Sequence, residues 1–109
     1  MRKLMIYCNT KYINGYVEIL AGRYSNNRLA LSLGDPNTGE LWTVATVNIP
    51  DEVLGEDEII LKNWSENEGI LDFFIQNGLS ENTGREIHIG YVVANVVKIT
   101  KKLKDIIEI

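Results

Sequence analysis

Apolar and polar residues alternate along several short stretches of this chain, and one stretch carries a helical period instead. Leu29, Leu31 and Leu33 alternate with Arg28, Ala30 and Ser32, the period-two signature of a strand with one buried face. Residues 2–8 read as an earlier strand. After Asn14-Gly15, read as a turn, Tyr16 to Leu20 begin a second that extends towards Tyr24. Ser25-Asn26-Asn27 and Asp35-Pro36-Asn37-Thr38-Gly39 are turn clusters. Residues 41–49 form the next strand, with Leu41, Thr43, Ala45, Val47 and Ile49 on one face and Trp42, Val44 and Thr46 on the other. It is expected to pair with 28–34 as a hairpin and to stop at Pro50. Glu58–Lys62 and Tyr91–Ile99 are further strands.

The helical stretch runs over 66–77. Ile70, Leu71, Phe74 and Ile75 make its apolar stripe, Phe73 widens it, and Gly78 stands where a helix stop belongs. Ser65 followed by Glu68 has the spacing of a capping box. These elements, in the order β-β-β-β-β-α-β, predict an α+β fold: a mostly antiparallel sheet of five to six strands with one amphipathic helix packed on one face. Residues 1–100 are expected to form a single domain, and 101–109 a Lys-rich C-terminal tail or short helix.

Composition supports a folded chain. With 109 residues, 45% of them hydrophobic and 24% charged, the chain can bury a core without disulfides or a structural metal. No stretch reaches the ~20 apolar residues that a membrane-spanning helix needs. The apolar run after Arg2 and Lys3 is too short for a secretory signal, so a cytoplasmic location is expected. The net charge is −4, and its distribution is more telling than its size. Between Asp35 and Asp72 there are ten carboxylates and one base, Lys62; the rest of the chain holds ten bases and five acids. A cationic groove that normally holds phosphate would attract such a middle segment.

Catalytic chemistry has little to draw on. Cys8 and His88 are the only cysteine and histidine. Cys8 lies within an apolar strand, where a thiol is normally inert packing. His88, between Ile87 and Ile89, reads as a surface or edge residue. One His and one Cys cannot make a tetrahedral zinc site, and no calcium-loop spacing or glycine-rich phosphate cradle occurs. The chain is therefore expected not to be an enzyme and to need no cofactor or metal.

Lys62-Asn63-Trp64-Ser65-Glu66-Asn67-Glu68-Gly69 is the most unusual local feature. A glycine inside a helix costs about 1 kcal/mol against alanine, so Gly69 calls for a reason: close packing by Trp64, or close approach of a partner. This string, together with Leu29-Ala30-Leu31-x-Leu33, Gly39-Glu40, Ala45 to Pro50 and Asp57-Glu58, resembles a family of small bacterial proteins of unknown function carried on plasmids, conjugative transposons and phages. The resemblance covers about residues 28–99. It implies no catalytic residues, but a setting: accessory cargo of a mobile element. Short acidic proteins in that setting often inhibit host defence nucleases. The expected function is thus protein–protein binding by an anti-CRISPR-like inhibitor that occludes a basic nucleic-acid-binding groove of a CRISPR effector or restriction enzyme.

The residues expected to bind the partner are Asp51, Glu52, Glu56, Asp57, Glu58, Trp64, Glu66, Glu68 and Asp72, with the aromatic anchor supplied by Trp64 or Tyr91. Two other readings compete. One is nucleic-acid binding or plasmid maintenance through Lys98, Lys101, Lys102 and Lys104, with Arg2 and Lys3. The other is a structural homo-oligomer. The protein is expected to be a monomer or homodimer with no membrane partner.

Overall fold

A computed structural model describes residues 5–107; Arg2 and Lys3 lie outside them. The elements are β1 (Met5–Asn9), β2 (Asn14–Arg23), β3 (Leu29–Gly34), β4 (Leu41–Val44), β5 (Glu58–Leu61), α1 (Ile70–Gln76), β6 (Ser80–Ile89), β7 (Val92–Ile99) and α2 (Lys101–Ile107). All strand pairs are antiparallel, in two sheets with orders β1-β2-β3-β4 and β5-β7-β6. The α+β class and antiparallel character agree with the sequence pattern. The element count does not: there are seven described strands and two helices, not five to six and one.

The sheets are joined where the chain leaves β4. The Ala45 N–H donates to Leu31 O (2.8 Å), and Val47 N–H to Ile60 O (3.0 Å). Lys62 N–H donates in turn to Ala45 O (2.8 Å). Residues 45–47 thus pass from the edge of β3 to the edge of β5, with Thr46 bridging Leu61. This is why the single strand expected over 41–49 is a short strand followed by a link.

Alternation along the strands builds two cores. Ile6, Cys8, Val17, Ile19, Leu31 and Leu33 point inward from the first sheet. They meet Ile59, Leu61, Val97 and Ile99 of the second sheet and Ile70, Phe73 and Phe74 of α1. The opposite face of the second sheet carries Ile60, Ile87, Ala94 and Val96, covered by Val47, Ile49, Leu54 and Trp64. Burial on both faces explains the nearly continuous apolar runs in β5 and β7.

α1 starts later than the pattern suggests. Ser65–Asn67 form a 3-10 turn with Trp64 as its N-cap, Ser65 has φ 56°, and neither that turn nor α1 starts on a capping box at Ser65. The side chain of Asn63 caps instead, its Oδ1 accepting the Leu71 N–H at 2.9 Å. Gly69 is the N-cap in a left-handed conformation (φ 99°). A Cβ there would lie 3.1 Å from Thr10 Cβ, so Thr10 of the β1–β2 turn, and not Trp64, is the neighbour that requires glycine. At the other end Gly78 behaves as expected. At φ 69° it donates to Ile75 O, while Leu79 donates to Phe74 O, which is a Schellman motif.

A further difference concerns a turn, and the C-terminus takes the helical of the two forms expected for it. Asn14 and Gly15 open β2, and the hairpin turn is closed one step earlier by Thr10 N–H donating to Ile13 O. Lys101–Ile107 is helical, with the Thr100 hydroxyl accepting the Leu103 N–H as an N-cap. Leu103 is fully buried in the main core, so this helix belongs to the packed body.

Candidate binding surface

Most of the carboxylates in the acidic segment are bound within the chain. Glu52 pairs with Arg85 at 2.7 Å, Asp57 with Lys104 at 2.6 Å and Glu68 with Lys11 at 3.7 Å; Glu66 pairs with Lys62. Glu58 accepts the Gly55 N–H at 2.7 Å. Asp51, Glu56 and Asp72 are exposed. The 49–54 loop is held from two sides. Arg28 donates to the carbonyls of Ile49 (2.7 Å) and Glu52, and Arg85 to the carbonyl of Val53. Ile49 and Leu54 pack beneath it on the second core. Asp51 and Glu52 therefore sit on a strap that closes a core.

The acids also fall into separate groups. Glu56, Asp57 and Glu58 line a cleft of about 340 Å3 together with Arg23 and Arg28, which offsets much of their charge. Glu66 and Glu68 lie beyond the other end of β5, with roughly 16 Å of extended chain between Asp57 and Lys62. Asp72 is on α1. Trp64, the expected anchor, is half-buried against the second core.

The unpartnered apolar surface lies elsewhere. On the outward face of the first sheet, Met5 pairs with Glu18 across β1–β2 and Tyr7 with Tyr16. The two tyrosine rings meet edge to face at 5.3 Å. Met5, Tyr7, Tyr12, Tyr16, Leu41, Trp42 and Val44 are all substantially exposed. On β4 the register against β3 shifts between Leu33 and Gly34, which makes Trp42 the extra residue of a β-bulge. A bulge turns a side chain out of strict alternation, so Leu41 and Trp42 are both exposed while Thr43 is buried.

Trp42 is set on a firm base. The Thr43 hydroxyl donates to Asn67 Oδ1, and Asn67 Nδ2 donates to the Val44 carbonyl at 2.8 Å. Asn67 itself is fully buried. The motif around Trp64 thereby clamps β4 from behind. Two clefts, of about 450 and 590 Å3, share the walls Trp42, Thr43 and Glu66; Tyr12, Ile13 and Asn14 complete the first, while Tyr24, Leu41, Val44 and Lys62 are among the further walls of the second. Glu66 has its pKa lowered to about 2, chiefly by the hydrogen bond from Lys62. It is ionised at any ordinary pH.

The sequence pattern pointed to Trp64 and not to Trp42, which it set only on one face of its strand with Val44 and Thr46. Tyr91 is fully exposed at the β6–β7 hairpin, away from these clefts in the chain and in the second sheet.

Of the chemistry-bearing residues, Cys8 is fully buried on β1, and burial pushes its thiol up to about 11 against a smaller lowering by Thr10. His88 is exposed on β6 of the other sheet. Among the described residues no three His, Cys, Asp or Glu side chains are grouped to hold a metal ion, and no helix is long and apolar enough to cross a membrane. The C-terminal lysines have local partners: Lys101 with Asp105, Lys104 with Asp57, and Lys102 with the Asn77 carbonyl. Neither a family model, nor a curated protein, nor a solved structure matches the chain.

Proposed function

We propose that this protein acts by binding another protein, and that the partner is a host defence nuclease of the CRISPR-effector or restriction type. The observation that carries the binding reading is the exposed apolar surface centred on Trp42 and bordered by Glu66. Aromatic side chains exposed beside a charged rim are the usual composition of a protein interface. The choice of partner rests on the mobile-element setting suggested by the Trp64–Gly69 string and on the acidic balance of the middle segment.

The acidic residues enter this reading differently from the sequence expectation. Glu52, Asp57 and Glu68 are engaged in ion pairs, so a continuous phosphate mimic is not the basis of the proposal. Asp51, Glu56 and Asp72 supply long-range attraction to a basic partner, which acts mainly on the rate of encounter. The contact itself is assigned to Trp42, Leu41, Val44 and Glu66.

The test is a panel of purified Cas9-type effectors and restriction nucleases, with binding and DNA cleavage measured side by side. Capture of a nuclease with loss of its cleavage is the expected result. Binding of DNA alone, with a steep salt dependence, would move the function to the lysine-rich C-terminus. A stable homodimer in sizing chromatography that buries Trp42, with no nuclease bound, would make it a structural oligomer.

A further inference from the structure

We infer that the cleft between Tyr12, Trp42 and Glu66 receives an arginine side chain of the protein partner, which takes over Glu66 from Lys62. This rests on the protein-binding reading above and names the chemistry of its central contact.

Charge and ring chemistry of the walls select the occupant. The cleft of about 450 Å3 is lined by two aromatic rings, Ile13, Thr43, the amide of Asn14 and the carboxylate of Glu66, with no base among them. Aromatic faces and a carboxylate together favour a cation, and a planar guanidinium can lie on a ring and hydrogen-bond a carboxylate at the same time. The chain already places its own cations on this part of the surface. Lys62 Nζ binds Glu66 and Lys11 Nζ stands 5.5 Å from the ring centre of Tyr12, and Glu66 and Tyr12 are both walls of the cleft.

Lys62 is a replaceable occupant. It bonds Glu66 four residues along at a partly exposed site, an arrangement that contributes little to folding and is screened by salt. It lines the second cleft and not the first, and it belongs to neither core, so releasing Glu66 opens no core. An incoming arginine exchanges one ion pair for another and adds the contact with the indole.

The probe is N-acetyl-arginine amide, with the isosteric but uncharged citrulline compound as control, followed by NMR on the full chain. The indole N–H of Trp42 is identified with Trp42→Phe. Saturable shifts at the Trp42 indole and at Glu66 are expected with the arginine compound, and much smaller ones with citrulline. Lys62→Met should tighten binding at least about two-fold by removing the competitor, and Glu66→Gln should weaken it about five-fold. Both side chains are at the surface, so thermal melts verify that the variants fold. Equal shifts for arginine and citrulline, or shifts centred away from Trp42, overturn the inference. Its failure is separable from that of the proposed function: a nuclease captured equally by wild type and Glu66→Gln removes the arginine contact and leaves protein binding standing, whereas a nuclease panel without capture bears on the function alone.

Discussion

Replacing Gly69 by alanine sets two readings of the same residue against each other with opposite signs. If residues 66–77 formed a continuous helix, Gly69→Ala would stabilise the protein by about 1 kcal/mol, the helix-interior difference. In the structure Gly69 has φ 99°, and holding an L-residue in the left-handed region costs about 1–2 kcal/mol. Its new Cβ would also meet Thr10 Cβ at 3.1 Å and Cγ2 at 3.2 Å. Thr10 cannot easily retreat, because its N–H donates to Ile13 O at 2.8 Å and its hydroxyl accepts the Ile13 N–H at 3.1 Å. Overpacking of this kind adds about 1 kcal/mol or more. The expected loss is therefore about 2–3 kcal/mol, read from urea unfolding followed by circular dichroism, with a drop in Tm of roughly 8 °C or more. Adding Thr10→Ser removes Cγ2 and should restore part of the loss. A Gly69→Ala protein as stable as the parent, or more so, would refute the account of how α1 begins.

Other expectations follow from single contacts. Leu103→Ala should cost about 2–5 kcal/mol, because a fully buried leucine leaves a cavity in the main core; a change within 0.5 kcal/mol, the size usual for an exposed site, would mean that α2 is not part of the folded body. Asn67→Ala should lower stability by about 1–3 kcal/mol in a denaturant titration, since it leaves the buried Thr43 hydroxyl and Val44 carbonyl without their partner. Cys8, with its thiol held near 11 by burial, should resist an aromatic disulfide reagent at pH 8 until the protein unfolds. Because its folded pKa lies above the unfolded one, the stability it contributes is intact at neutral pH and falls as pH rises from about 9 towards 11. A thiol that reacts rapidly in the native state would contradict this. NMR titration of Lys62→Met should bring the Glu66 pKa up from about 2 towards the ordinary 4.5.

The legible parts of the fold were those in which one buried face alternates along a paired strand. Leu29, Leu31 and Leu33 read correctly because β3 has a neighbour on either side and one dry face. β6 left no such mark: between Glu81 and Glu86 every residue is exposed, as suits a polar edge strand protected from further pairing. Its register comes from β7, which a local pattern cannot reveal. The start of α1 was misplaced because Asn63 and Asn67 satisfy groups eight and twenty-three residues away, and such partners leave no spacing signature.

The candidate surface was legible in its chemistry but not in its location. Ten carboxylates in the middle segment are plain in the sequence, yet the bases that engage them, Lys11, Arg85 and Lys104, come from its outer thirds. The two tryptophans exchange roles for a topological reason. Trp64 packs on the second core, while Trp42 faces outward by alternation with the buried Thr43 and the bulge in β4 turns Leu41 out beside it. A one-residue register shift of that kind depends on the neighbouring strand and not on the residue itself.

Binding of the wild-type, Trp42→Ala and Trp64→Phe proteins to immobilised Cas9-type and restriction nucleases, with Tm measured for each, addresses the proposed function head-on. A nuclease should be held by the wild-type and Trp64→Phe proteins, and at least about 10-fold more weakly by Trp42→Ala, whose Tm should match the parent. Equal affinity of the Trp42→Ala protein, or a wild-type chain that holds no nuclease in the panel, would contradict it.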